Sequence, residues 1–351
     1  MSRVLVVGLG AVSPAGWGVP AFRDAVGRGN ALPTTALPRP GWTKPLAIRP
    51  VPECQPPPAW SRHPRLRRCS AVTSQAVGAA HEALQQAAPV ARTRLGVIVC
   101  LQGGSVHYTS RFFDEVLKEP AVASPILFPE TVLAAPASHV ATVLPNVLRV
   151  ETLLGDPGTF LQGLAFAAEW LLDDQVDCAL VIGSEEANWL LADGLWVMDH
   201  RSVMAGGAGA LCLTREFEAP AGQTSGLRSP TATIELARIT DAFTYSRRLD
   251  RAHAARQMRA AMPAGAGFLL CDGLQDCPRT DAPEAAAWHD WTGPRLSPKR
   301  VLGEGLMAAS AWQCVAACDA LATGSFPGAL VSVVGCNQQA IGACFTTGRP
   351  Q

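Results

Sequence analysis

Apolar and polar positions alternate along this chain in blocks of changing period, and the clearest block spans residues 149–186. Leu161, Leu164, Ala165, Ala168, Leu171 and Leu172 recur at the spacing of one helix face. Asp156 stands where it can cap that helix. Pro157 suits its first turn, where a missing N–H costs nothing. Residues 178–182 form a continuous apolar run, the pattern of a strand buried on both faces. Gly183 and Ser184 end it, and Glu185 and Glu186 lie at its carboxyl end. The block predicts strand, tight turn, helix, strand. Helix N-terminal N–H groups point into such a turn, which makes it a usual place for chemistry. Here residues 155–158 hold no Cys, Ser, His or Lys.

The same reading predicts buried strands at 4–7, 95–100, 231–239 and 267–271. It predicts helices at 70–86, 111–118, 251–262 and 302–321, with Gly303 and Glu304 near the start of the last. Residues 329–334 and 340–345 form a hairpin-like pair around Gly335-Cys336-Asn337-Gln338-Gln339. Residues 8–18 look like a dinucleotide fingerprint, but Ser13 takes the third glycine position and Pro- and Gly-containing breaks follow, so a strand-to-helix turn is expected. The Pro-rich stretch 32–60 reads as irregular surface. Residues 128–140 read as a loop giving way to a small-residue helix, with His139 as a structural residue. Residues 205–213 read as a small-residue turn entering a strand, and 216–229 as a polar connection. Residues 272–283 read as a loop before a helix beginning at 284. Strands and helices alternate in both parts of the chain, so the fold class expected is α/β with an internal duplication. The halves are 1–215 and 216–351, integrated in one unit.

Composition narrows the classes. Of 351 residues, 48% are hydrophobic and 17% charged, which is ample for a large core and unlike a disordered chain. Twenty-nine basic residues balance 29 acidic ones, so no general attraction to nucleic acid or anionic membrane is implied. The 11 cysteines are scattered without a C-x-x-C pair, and Cys271/Cys277 and Cys314/Cys318 lack histidines at zinc spacing. They read as reduced, packed thiols, and no metal is expected. The N-terminus enters a strand without a charged-then-apolar leader, and no apolar run is long enough to span a bilayer. The expected location is the cytoplasm.

Several blocks together carry a resemblance. VLVVGLGAVSPAGWG at the start, RLGVIVC, FPETVLAAPASHVA, VDCALVIGSEEA, MAGGAGALCL, TDAPEAAAW and SPKRVLGEGLMAASAW stand in the order of the matching blocks of the β-ketoacyl synthase branch of the thiolase superfamily. The chain resembles that family over nearly its whole length. The resemblance implies a five-layered α-β-α-β-α fold from two related halves, with the active site between them and no cofactor.

The chain departs from the family where the chemistry lies. The nucleophilic Cys of the family's T-A-C-A-S-G run falls at Pro157, beside Asp156. The first catalytic His falls at Gly273, beside Asp272 and eleven residues before Glu284. The second His falls at Glu304, after Gly303, with the family's Lys retained as Lys299. The glycine-rich gating loop has become residues 333–337, which include Cys336. The segment between Glu186 and Ala205 is about half the family's length. Condensation needs a thiolate to hold the acyl chain and two imidazoles at the enolate oxygen. Proline, glycine and glutamate supply neither.

What the resemblance implies is therefore a non-condensing partner, most like the chain length factor of a type II polyketide synthase. Such a subunit pairs with an active ketosynthase, helps set product length and meets an acyl carrier protein through the complex. By family analogy the partner contact runs through Phe128, Pro129, Thr131, Leu133 and His139 and the strand around Thr152. Two further readings stay open. One is an enzyme on carrier-bound thioesters, a dehydratase or hydrolase, with Asp156, Asp272 and Glu304 as a rebuilt acid–base site. The other is a structural homodimer or scaffold.

Overall fold

The computed structural model describes residues 2–87, 94–216, 233–263 and 265–348. Its first strand, β1 (Val4–Ser13), is longer than the pattern predicts. Glycine is the reason. A Cβ on Gly8 would lie 2.0 Å from the Ala83 carbonyl oxygen, and one on Gly10 1.9 Å from that of Ala79. Both carbonyls belong to helix α1 (Ala71–Gln86). The apparent turn is thus strand pressed directly onto helix backbone, which only glycine permits. Ser70 caps α1 by accepting the Thr73 N–H at 3.3 Å.

The first half continues with β2 (Leu95–Leu101), α2 (Val106–Lys118), α3 (Ala135–Val143), β3 (Val147–Leu154), α4 (Thr159–Leu172), β4 (Cys178–Glu185) and β5 (Gly207–Arg215). The second half supplies β6 (Ile234–Ile239), α5 (Arg251–Ala261), β7 (Leu269–Cys271), α6 (Pro278–Ala287), β8 (Arg295–Leu296), α7 (Met307–Ala322), β9 (Gly328–Val334) and β10 (Gln339–Thr347). Residues 217–229 of the expected connection lie outside the described residues.

Sheet order repeats. The first half runs β3-β2-β4-β5-β1 and the second β8-β7-β9-β10-β6, the same permutation of successive strands. The pairing sense repeats too: β2 is parallel to both neighbours and β5 antiparallel to both, and so for β7 and β10. The halves join where β1 pairs antiparallel with β6, Leu5 opposite Glu235. Helix α7 packs on β4 and β5 of one half and on β7 and β9 of the other, while α4 packs on β2, β4 and β10. These two helices form the middle layer. Helix α1 covers the outer face of the first sheet half, and α5 and α6 that of the second, giving α-β-α-β-α. The middle layer is the most apolar: Trp312, Phe160, Leu161 and Leu164 are fully buried.

Four regions differ from expectation. The stretch 32–60, read as irregular surface, holds the strands Thr35–Leu37 and Leu46–Arg49, which pair with each other and, through the second, with Met204–Ala205, and bury Leu46 and Ile48. The helix read as starting at 284 begins at Pro278, because Cys277 turns the chain and proline fits the first helical position. The helix read as 302–321 is two, Pro298–Leu302 and α7, broken at Gly303 (φ 97°) and at Leu306 (φ 49°). Helix α4 begins at Thr159 after Gly158, so Pro157 precedes it and Asp156 is not its capping residue. All eleven cysteines are free. Among the described residues no helix is long and apolar enough to cross a membrane.

Candidate functional site

Strand ends β3 and β7, the turn between β9 and β10, and the break before α7 converge between the halves. Asp156, directly after β3, is 2% exposed and accepts four N–H groups. Its Oδ1 takes Gly158 N at 3.1 Å and Gln339 Nε2 at 3.1 Å, and its Oδ2 takes Gln338 N at 3.0 Å and Gln339 N at 3.2 Å. A Cβ on Gly335 would sit 1.9 Å from Asp156 Oδ2, so the turn comes this close only with glycine there. The carboxylate therefore ties the 335–339 turn to the entrance of α4 rather than facing a substrate. From the other side, Arg251 Nε donates to Gly335 O at 2.7 Å and Arg251 Nη2 to Val334 O at 3.0 Å, and the Tyr245 hydroxyl donates to Gly335 O. Pro157 is buried beside Asp156 and presents no reactive atom.

A second cluster lies around Lys299. Its Nζ donates to Glu304 Oε2 at 2.8 Å, with side chains 6% and 1% exposed. Glu304 Oε1 accepts the Leu306 N–H at 2.8 Å. The Glu304 backbone is stitched to the 203–205 segment, its N–H donating to Val203 O at 2.8 Å and its C=O accepting from Ala205 N at 2.9 Å. Burial works to lower the Lys299 pKa, but the Glu304 charge and hydrogen bond outweigh it and the result is raised, so the lysine stays cationic. A side chain grown on Gly273 would start 2.9 Å from Glu284 Oε2 and 3.5 Å from Lys299 Nζ. Gly273 thus opens onto the same cluster. Glu284 accepts the Ser332 hydroxyl at 2.5 Å and Gly273 N at 3.1 Å, and burial, with the nearby Asp272 charge, pushes it up to about 7.

Asp272 is held elsewhere in this neighbourhood. It accepts the Ser297 hydroxyl at 2.7 Å and Leu274 N at 3.2 Å, and its Oδ2 lies 3.2 Å from Arg295 Nη1. Burial raises its pKa. Cys336 sits at the tip of the turn, within electrostatic reach of Glu304, Lys299, Arg251 and Asp156. Burial raises its pKa first, so the thiol is the dominant form, not the nucleophilic thiolate. Among the described residues no histidine hydrogen-bonds to this cluster.

The structure thus brings Gly273, Lys299 and Glu304 together, with Cys336 close by and Asp156 and Pro157 across the turn. It leaves Asp272 on the Arg295 side. Sequence reading missed Glu284, Ser332, Arg251 and Tyr245 as members. Only Glu284 had a signal, as the anchor of a spacing argument. The others come from strands and helices far away in sequence. Every carboxylate here is engaged by N–H groups, hydroxyls or a cation. The arrangement is a locked polar network, not a nucleophile with its base.

The residues expected at a partner contact lie at the edge of the sheet and beside it. Among the described residues strand β3 ends the sheet, paired only to β2. Leu148 is 61% exposed, Val150 40% and Leu154 49%. Phe128 (56%) and Leu133 (41%) are exposed nearby in sequence, as is Pro129. Thr131 and Thr152 are half-buried, and Thr131 donates to Phe128 O. His139 Nε2 meets Glu130 Oε1 at 2.7 Å, which fastens the short helix Phe128–Thr131 to α3 and gives that histidine a structural role.

No family model and no curated protein matches this chain. Solved structures do. The ishigamide ketosynthase/chain length factor superposes with a TM-score of 0.78 at 17% identity, covering 99% of this chain and 99% of that one. A type II polyketide synthase ketosynthase, AntDE, in complex with its acyl-carrier protein AntF and bound to the hexaketide, gives 0.77 at 15% identity, covering 99% of each chain. A β-ketoacyl synthase from Burkholderia phymatum STM815 gives 0.77 at 18% identity, covering 99% of this chain and 100% of that one. With its repeated strand order and its shared middle helices, the chain has the thiolase-like fold of the β-ketoacyl synthases and chain length factors.

Proposed function

We propose that this chain is a non-condensing ketosynthase-like subunit, a chain length factor, that pairs with an active ketosynthase and helps set the length of its polyketide or polyene product. The two related halves, 1–215 and 216–351, act in it as one unit. The observation that carries the reading is the Lys299–Glu304 pair. Where the family's second imidazole would stabilise an enolate, a buried carboxylate is fixed 2.8 Å from its own lysine. A carboxylate there repels a developing oxyanion, and its lysine is already neutralised. The rebuilt acid–base reading lacks a free group: Asp156 takes four N–H donors and Asp272 a hydroxyl, an N–H and Arg295.

A partner is supported by surface physics. An edge strand with exposed Leu148, Val150 and Leu154 is a template for strand pairing, and an isolated protein covers such an edge. Arg62, Arg65, Arg67 and Arg68 are exposed, and none forms an ion pair with another described residue. That cationic stretch suits an anionic partner, here the carrier protein that serves the complex.

Co-expression with the ketosynthase encoded beside it tests the proposal. The expected result is a stable one-to-one complex that buries more than about 2,000 Å². Val150→Arg should split it without unfolding either chain. Two separate homodimers, or malonyl condensation by this chain alone, would overturn the reading.

A further inference from the structure

We propose that the cavity between the start of α1 and the carboxyl end of β4 binds a small apolar molecule that carries a primary ammonium group. The cavity has a volume of about 330 Å³ and lies beside the outer helix α1, apart from the Lys299 cluster. Its walls include Leu37, Val51, Val106 and Trp189, and its polar residues are Glu186, Gln75, Asn188, His107 and Ser110, of which Glu186 alone carries a carboxylate.

The side chains of Glu186 and Gln75 are buried and neither is used up. Glu186 is 3% exposed, and its Oε1 accepts the His107 N–H at 2.7 Å. Its Oε2 takes no hydrogen bond among the described residues. Gln75 is 7% exposed, and its Oε1 is buried without a partner. Asn188 does not answer them: its Oδ1 accepts Leu191 N at 3.0 Å and its Nδ2 donates to Glu186 O at 3.3 Å. Nor does Glu185 compete for the ligand, since it already takes the N–H groups of Gln102, Gly103 and Gly104.

An unpaired buried acceptor costs about 1–3 kcal/mol, and a buried carboxylate with one oxygen unused beside a cavity calls for an occupant with donors. An ammonium brings three donors and the charge opposite to Glu186. Burial pushes the Glu186 pKa up to about 7, a cost that a bound cation would relieve. The rest of the wall is apolar, so the body of the ligand is too. A dry cavity of about 150 Å³ holds benzene. This one has room for a ring with a two-carbon tail.

The probe is phenethylammonium, set against 2-phenylethanol and ethylbenzene, with saturation-transfer NMR and calorimetry on the full chain. The inference concerns this chain alone and stands or falls apart from the subunit reading. Saturable binding of the ammonium, tighter than the alcohol by at least about ten-fold, is the expected result. Glu186→Gln should abolish the preference and Gln75→Leu should weaken the ammonium. Circular dichroism checks both folds, and Gln75→Leu carries the test if the first variant does not fold. No saturation up to about 10 mM would overturn the proposal. So would equal affinity in the wild type and the folded variants, or ethylbenzene binding as tightly as the ammonium.

Discussion

The buried pair Lys299–Glu304 makes a quantitative demand. In Lys299→Met, Glu304 keeps the Leu306 N–H at 2.8 Å and a long contact from Gln275 Nε2 at 3.4 Å, but loses its only cation. Its side chain is 1% exposed, so water cannot replace the ammonium. Breaking a buried pair from one side costs about 3–5 kcal/mol, because the orphaned charge stays out of water. For 351 residues the unfolding entropy is about 0.7 kcal/mol per degree, so Tm should fall by about 4–7 °C. Removing both charges is different. Lys299→Met with Glu304→Leu discards two desolvation penalties along with their attraction, and should return within about 2 kcal/mol of wild type. Urea denaturation of the single and double variants, followed by circular dichroism, reads the cycle. The reasoning is refuted if Lys299→Met costs under about 1 kcal/mol, or if the double variant costs the sum of the singles. Additivity would mean the two charges do not meet.

Three further outcomes follow from the same coordinates. Burial raises Glu186 to about 7, so the native state holds a proton that the unfolded chain releases near 4.5. Its contribution is full at low pH and fades as pH rises through about 7; Glu186 alone should lower stability by up to about 3 kcal/mol from pH 5 to 8, and Glu186→Gln should remove that share of the slope while leaving those of Glu185 and Glu284. Parallel wild-type and variant curves would contradict it. Gly10→Val places a Cβ 1.9 Å from the Ala79 carbonyl oxygen, so it should leave little folded protein on expression, while Gly27→Ala, inside the helix Val19–Arg28 with nothing within 4 Å of its Cβ, should stabilise by about 0.5–1 kcal/mol and raise Tm. Reversing Arg65, Arg67 and Arg68 to Glu should weaken carrier binding by the complex at low salt while leaving Tm unchanged, as surface plasmon resonance and calorimetry would show.

Legibility in the sequence followed burial. The block around α4 and β4 could be read because both faces of β4 are covered, which forces a run such as 178–182; in α4 the expected stripe holds for Leu161, Leu164 and Leu171, while Leu172 is exposed and the buried face turns to include Phe160, Ala167 and Trp170. The duplication could be read because each half repeats strands and helices at similar spacing, and the identical strand order bears it out. What failed was governed by contacts with distant segments. Glycines 8 and 10 look like turn residues until the helix that lies against them is known. Pro278 looks like a loop residue, though it opens α6. Leu306 gives no local sign of its positive φ, which is set by Glu304 being stitched to the 203–205 segment on one side and accepting the Leu306 N–H on the other.

The same logic explains why the cluster around Lys299 is coherent. A buried lysine needs a close anion, because an isolated ammonium out of water is costly. Glu304 supplies that anion from five residues away, on the far side of a helix break, and closes the pair at 2.8 Å. Gly273 leaves room on the other flank, where Glu284 turns toward Ser332 and the Gly273 N–H. Asp156 then fastens the 335–339 turn over the entrance of α4, a position where a reactive group would need that turn to be open. Glu304 contributes an ion pair and Asp156 four hydrogen bonds, while Gly273 and Pro157 contribute close packing. These contacts tie four elements together, and that makes the cluster rigid.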